Sequence, residues 1–145
     1  MYQSEDLAKI DFGEYLRSLV ADLYNLYGVS PDTIKLKIDV DHILLVIDSA
    51  IPSGLIINEL VSNSLKHAFP AGRRGEISIA FRPDDDGQYG LSVGDNGVGF
   101  PDGLDFRNTK SLGLRLANAL TAQLKGTIEV DRSGGTAFKI TFEAK

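Results

Sequence analysis

Asn58-Glu59-Leu60-Val61-Ser62-Asn63-Ser64-Leu65-Lys66-His67 is the stretch whose periodicity decides the fold. Placed at helical steps, Ile57, Leu60, Val61, Leu65 and Ala68 share an arc of roughly 140°, with small Ser64 inside it. Glu59, Asn63, Lys66 and His67 fall together in a separate arc of about 100°, and Asn58 lies at the margin. The apolar arc needs a sheet to pack on. The polar arc then faces either solvent or a cavity at the sheet edge, and on this helix alone the solvated reading is the simpler one.

Outward from that helix, the rest of the chain supplies the sheet. Phe12, Tyr15, Leu16, Leu19, Val20, Leu23 and Leu26 recur at helical spacing, with Gly28 as a stop. Ile34, Leu36, Ile38 and Val40 alternate with Lys35, Lys37 and Asp39, which is a half-buried strand. Ile43 to Ile47 reads as a second, shorter strand, and Pro52 as the first turn of the helix that runs to about Ala68. Gly72 to Gly75 form a turn. Glu76 to Arg82 and Tyr89 to Val93 are two strands joined by Pro83-Asp84-Asp85-Asp86-Gly87. Leu112 to Lys125 is helical, stopped by Gly126. Thr127 to Val130 and Thr136 to Phe142 close the chain as a hairpin around Ser133-Gly134-Gly135. Three helices and about six strands in this order predict an α+β fold, a two-layer sandwich with a mixed, mostly antiparallel sheet and the helices on one face.

The second informative stretch is Gly94-Asp95-Asn96-Gly97-Val98-Gly99-Phe100-Pro101. Asp-Asn-Gly alone is a turn signal. A hairpin, however, needs a strand directly after its turn, and Pro101-Asp102-Gly103 denies it. Glycines at 97 and 99 let the backbone approach a flat ligand closely. A carboxylate at the end of a strand can accept a hydrogen bond from an exocyclic amine such as adenine presents. The polar segment from Pro101 to Lys110 suits a lid, and Ser111-Leu112-Gly113-Leu114 opens a helix whose N-terminal N–H groups suit phosphate. Lys110 and Arg115 are either phosphate contacts or solvated surface cations. Together the two stretches read as an ATP site.

Bulk properties narrow the class. The chain has 145 residues, one domain's worth, with 43% hydrophobic and 24% charged residues, an ordinary globular balance. It contains no cysteine, which excludes disulfides, thiolate metal sites and thiol nucleophiles and fits a reducing compartment. A net charge of −5 argues against a nucleic-acid partner. No apolar run is long enough for a membrane span, and Ser4, Glu5 and Asp6 interrupt any signal-peptide core, so no direct membrane contact is expected.

These residues resemble the ATP-binding catalytic domain of sensor histidine kinases, within the gyrase, heat-shock chaperone, histidine kinase and mismatch-repair ATPase superfamily. Pro52 to Pro70 is similar to that family's N box and Asp95 to Gly99 to its first glycine box. Ser111 to Leu116 is similar to its second glycine box, and Gly135-Thr136-Ala137-Phe138 to its closing strand. The resemblance implies a Bergerat-type ATP-binding fold over residues 11–145, with residues 1–10 the remnant of a linker from an upstream helical dimerisation region. It implies Asn63 as the Mg2+ ligand that bridges to the ATP phosphates, and Lys66 and His67 as nucleotide contacts. Asp95 would accept the adenine amine. Gly97 and Gly99 would shape the nucleotide wall. Lys110, Leu112 and Gly113 would lie at the phosphate end, and Thr136 near the adenine. Glu59 would orient or deprotonate the accepting group.

The implied partners are a histidine-bearing helical dimerisation domain and, downstream, a response regulator, in the cytoplasm. No pair of long helices precedes Asp11, so a catalytic domain without its acceptor is expected. Two alternatives stay open on the same motifs: a serine kinase of the anti-sigma-factor type, and a non-catalytic nucleotide-binding module. The second glycine box is reduced, with Ser111-Leu112-Gly113 in place of a richer glycine run, which implies a compact lid.

Overall fold

The alternating strands assemble as the periodicity requires. The computed structural model describes residues 8–40, 43–83, 87–98 and 112–143, with Leu112 described by its backbone alone. The elements run β1 (Lys9–Asp11), α1 (Phe12–Leu26), β2 (Ile34–Val40), β3 (Leu44–Val46), α2 (Ile47–His67), β4 (Gly75–Pro83), β5 (Gln88–Asp95), α3 (Leu112–Gln123), β6 (Thr127–Asp131) and β7 (Thr136–Glu143). A single 3-10 turn, Pro70–Gly72, links α2 to β4.

The main sheet has five strands in the order β2-β4-β5-β7-β6. Only β2 and β4 pair in parallel, which requires a crossover, and α2 is that crossover. One sheet face carries Ile34, Ile77, Ile79, Phe81, Leu91, Val93, Phe138, Ile140 and Phe142, all buried. Those positions alternate with the exposed Lys35, Lys37 and Asp39 on β2, and with exposed Ala137 and Lys139 on β7. Phe12 of α1 meets Phe81 with ring centroids 4.8 Å apart, tying the helical layer to the sheet. α2 packs against both other helices, and its N-terminal half crosses α1 at Gly54, where a Cβ would lie 2.6 Å from the Tyr15 ring. The sandwich with its mixed sheet is the fold expected from the pattern.

Several local readings change. β1 went unread. It is three residues long and pairs antiparallel with β3 in a separate two-stranded sheet, Lys9 opposite Val46 and Asp11 opposite Leu44. This strand, Lys9–Asp11, straddles the boundary expected between residues 10 and 11. Asp11 ends that strand and caps α1, accepting the Glu14 N–H at 3.3 Å. Ile47 belongs to a helix rather than a strand, because α2 begins there, and Pro52 stands inside the helix instead of at its first turn. The missing Pro52 N–H deprives the Asp48 carbonyl of its partner, and exposure of Asp48 lets water take that role. At the C-terminus of α3, the left-handed position is Lys125, with φ 58°, and not Gly126. Lys125 N–H bonds the Ala122 carbonyl and Gly126 N–H the Thr121 carbonyl, a Schellman closure. Gly126 is required for a different reason: a Cβ there would sit 2.3 Å from the Thr141 carbonyl oxygen. Gly28 does end α1 as expected, with φ 64° and Val29 N–H bonded to the Tyr24 carbonyl.

Candidate functional site

The end of α2 and the end of β5 meet through backbone groups that each helix and strand leaves unpaired. α2 stops at His67, so the carbonyl of Ala68 has no helical donor. Val98 N–H fills that place at 2.9 Å. Gly97 lies between, and a Cβ on it would be 2.3 Å from the same Ala68 oxygen, so no other residue allows this approach. Asn96 fastens the turn to β4: its Oδ1 accepts the Glu76 N–H at 2.8 Å and its N–H reaches the Glu76 carbonyl at 3.2 Å. The Asp-Asn-Gly turn is thus a docking joint between helix and sheet, not a hairpin.

Asp95 is the last residue of β5, opposite Ile77 on one side and Thr136 on the other. Both of its carboxylate oxygens are engaged. Oδ1 accepts the Gly97 N–H at 2.9 Å, and Oδ2 accepts the Ser64 hydroxyl at 2.7 Å. The β6–β7 turn closes over the same strand end. Gly135, with φ 105°, makes that possible, because a Cβ there would fall 2.2 Å from the Asp95 carbonyl oxygen.

Asn63, Ser64, His67, Ala68, Asp95, Thr136 and Phe138 line one cleft of about 270 Å³, counting its open mouth. Four residues chosen from sequence, Asn63, His67, Asp95 and Thr136, therefore converge, although they come from three elements and span 74 positions (136 minus 63, plus one). Thr136 is only 6% exposed and Ser64 8%, so the floor is enclosed, whereas His67 is exposed at the rim. Glu59 lies one helical turn before Asn63. Its Oε2 comes within 2.7 Å of where a Cβ on Gly113 would stand, so the first turn of α3 rests against this carboxylate. Neither Glu59 nor Gly113 is among the residues that line the cleft. Gly97, which packs on Ala68 beside Asp95, does not itself line the cleft.

Other expected residues stand elsewhere. The Lys66 ammonium lies 5.9 Å from the centre of the Tyr27 ring, beyond the residues that line the cleft. Gly99 and Lys110, the lid from Pro101 to Lys110, the side chain of Leu112 and the turn residue His42 lie outside the described residues. Three lining residues escaped the sequence reading: Ser64, Ala68 and Phe138. Ser64 carried a signal. It was a hydroxyl in an otherwise apolar arc, and a buried hydroxyl needs a partner.

The arrangement offers distinct chemistry at its two ends. The Asp95 end presents fixed acceptors to a flat group with an amine. Asn63 at the other end presents an amide, and Glu59, one turn before it and outside the cleft lining, a carboxylate; neither has a hydrogen-bond partner among the described residues. Oxygen donors of that kind suit magnesium, which keeps waters and takes substrate phosphates as further ligands. No group of three His, Cys, Asp or Glu among the described residues could hold a metal without such help. None of the described helices is long and apolar enough to cross a membrane.

Comparison with known proteins places the chain in a family. Blue-light-activated histidine kinase 2 of Erythrobacter litoralis is 28% identical over 97% of this chain, which spans only 42% of that relative's length. The solved histidine kinase domain of the Erythrobacter litoralis EL346 blue-light activated histidine kinase superposes with a TM-score of 0.85 at 26% identity, over 93% of this chain and 62% of that one. The mycobacterial sensor histidine kinase MprB shares the fold, with a TM-score of 0.73 at 21% identity over 94% of this chain and 97% of that one. The profile of the family described as "Histidine kinase-, DNA gyrase B-, and HSP90-like ATPase" matches residues 48–145, which contain α2 from its second residue, the Asp95 turn and the closing hairpin. This chain belongs to that histidine kinase-, DNA gyrase B- and HSP90-like ATPase family, and it is homologous to sensor histidine kinase catalytic domains.

Proposed function

We propose that this domain holds Mg-ATP in the α2–β5 cleft and donates its γ-phosphoryl group to a histidine on a helical hairpin of its parent kinase. The observation that carries the reading is the convergence of Asn63, His67, Asp95 and Thr136 on one cleft whose Asp95 carboxylate is held by two hydrogen bonds. Asp95 accepts the adenine amine, and Gly97 and Thr136 border the base. Asn63 holds the metal through its side-chain oxygen, at the phosphate end. Magnesium, when bound, neutralises the charge that builds on the transferring phosphoryl group. Phosphoryl transfer needs little covalent help from the protein, so positioning is most of what these residues contribute.

Glu59, which has no hydrogen-bond partner among the described residues and faces the α3 start, orients the accepting imidazole or takes its proton. Gly99, Lys110, Leu112 and Gly113 belong to the phosphate side of this proposal. Lys66 is left out of it because its ammonium is engaged with Tyr27. Residues 1–10 lead in from the linker of the dimerisation region, the acceptor histidine comes from that region, and a response regulator receives the phosphoryl group next. Such a domain works in the cytoplasm.

The test is to mix the chain with Mg2+, γ-labelled ATP and a dimeric histidine-bearing hairpin from the parent kinase. The expected product is an acid-labile, alkali-stable phosphohistidine on the hairpin. Acid-stable label on a serine of a partner protein would instead establish the anti-sigma-type activity and overturn the assignment.

A further inference from the structure

Ser64 is the one buried hydroxyl of the cleft whose partner is the residue assigned to read the base. It is 8% exposed and donates to Asp95 Oδ2 at 2.7 Å, across 31 positions of sequence, from the apolar arc of α2. The carboxylate's other oxygen accepts the Gly97 N–H at 2.9 Å. These two donors come from different elements and approach different oxygens. An aspartate carboxylate rotates freely about its terminal torsion, because that torsion is broad and nearly two-fold. One donor leaves the rotation open. Two donors on separate oxygens set the plane of the group, and with it the direction of the lone pairs left for a ligand.

We propose that Ser64 is a positioning residue that sets base specificity: by fixing the plane of Asp95, it makes the cleft select nucleotides whose purine carries an amine at the 6-position over those with an oxo group there. This rests on the reading of Asp95 as the adenine acceptor. Each donor points a hydrogen at a carboxylate oxygen, so what Asp95 turns toward a ligand is an acceptor. An oxo group brought to that place meets an acceptor, with no hydrogen between them. An amine meets a lone pair already aimed at it. Removal of the Ser64 hydroxyl leaves the charge in place and loses the aim, so amine recognition weakens while the unfavourable meeting with an oxo group changes little.

The measurement is calorimetric affinity for Mg-ATP and for Mg-ITP, the 6-oxo counterpart, on the full chain and on Ser64→Ala, Ser64→Thr and Asp95→Asn, with the melting temperature of each variant recorded alongside. Ser64→Ala is expected to weaken ATP by about tenfold and ITP by less than about twofold, the scale of one hydrogen bond to a charged group. Ser64→Thr, which keeps the hydroxyl, is expected to restore the ATP-to-ITP ratio to within about threefold of the parent. An unchanged ratio in Ser64→Ala, with the ratio collapsed in Asp95→Asn, would overturn the role of Ser64 and leave the reading of Asp95 intact. Equal weakening of both nucleotides together with a lower melting temperature would mark the hydroxyl as a structural tie between α2 and β5, and would also overturn the proposal. A ratio unmoved by Asp95→Asn would remove the adenine reading itself.

Discussion

The two ends of the cleft are built on opposite plans. At the Asp95 end, the turn is tied down by several hydrogen bonds: Asp95 to Ser64 and Gly97, Asn96 to Glu76, and Val98 to the Ala68 carbonyl. At the Asn63 end, the side chains of Glu59 and Asn63 have no hydrogen-bond partner among the described residues. A rigid end suits a group whose shape never changes, such as a purine ring. Side chains left without partners suit a cargo that arrives with its own metal and waters and is altered by the reaction. Preorganised acceptors need no reordering when the base binds, whereas free donors and ligands gain their partners only from the nucleotide.

The contrast is open to direct attack. The largest effect is expected at the joint of the rigid end. Gly97→Ala forces a methyl group against the Ala68 oxygen, at 2.3 Å in the present geometry. We expect urea denaturation to report a loss of about 2–3 kcal/mol of stability, together with weakened ATP binding. A variant with unchanged stability would show that the joint yields easily and that the end is not rigid.

Asn63→Ala attacks the other end. Its fold should survive, since the amide makes no hydrogen bond among the described residues, and melting should move little. Its ATP affinity should fall by about tenfold in magnesium and become indifferent to chelation of the metal by EDTA. An undiminished dependence on magnesium would remove Asn63 as the metal ligand.

The smallest effect belongs to a region remote from both ends. Tyr24, buried on α1, donates its hydroxyl to the Ile34 carbonyl at 3.0 Å. Burial pushes this phenol from its ordinary 10.0 up to about 12. A raised value means stability that is fully present below pH 10 and is lost as pH rises through about 12. Tyr24→Phe should cost about 1 kcal/mol at neutral pH. It should also flatten the loss of stability across that alkaline window and leave ATP binding alone, as alkaline melts and a nucleotide titration would reveal.

The rigid end was also the harder one to foresee. α1, α2, the five-stranded sheet and the closing hairpin followed from alternation and helical spacing, because burial of a face leaves a period in the sequence. Asn63, His67 and Asp95 stood out as polar residues in patterned places. β1 left no trace, since three residues of Lys9-Ile10-Asp11 carry too little alternation to register. Pro52 argued for a helix start because proline favours first turns, yet solvent at Asp48 tolerates it later. Gly126 was read for its backbone freedom when its real constraint is the Thr141 carbonyl lying against it. Ser64 to Asp95 could not be foreseen as a pair: their separation of 31 positions is bridged only when α2 lies across the sheet end. Contacts between elements are set by packing, and a single chain's periodicity does not encode which face meets which strand end.

On this reading the cleft binds an adenine nucleotide through Asp95. Calorimetric titration of Mg-ATP and Mg-GTP into the parent chain and into Asp95→Asn tests it most directly. We expect the variant to lose about 1–3 kcal/mol with ATP, for one charge-assisted hydrogen bond, and far less with GTP. Equal losses for ATP and GTP, or no loss for either, would contradict the claim.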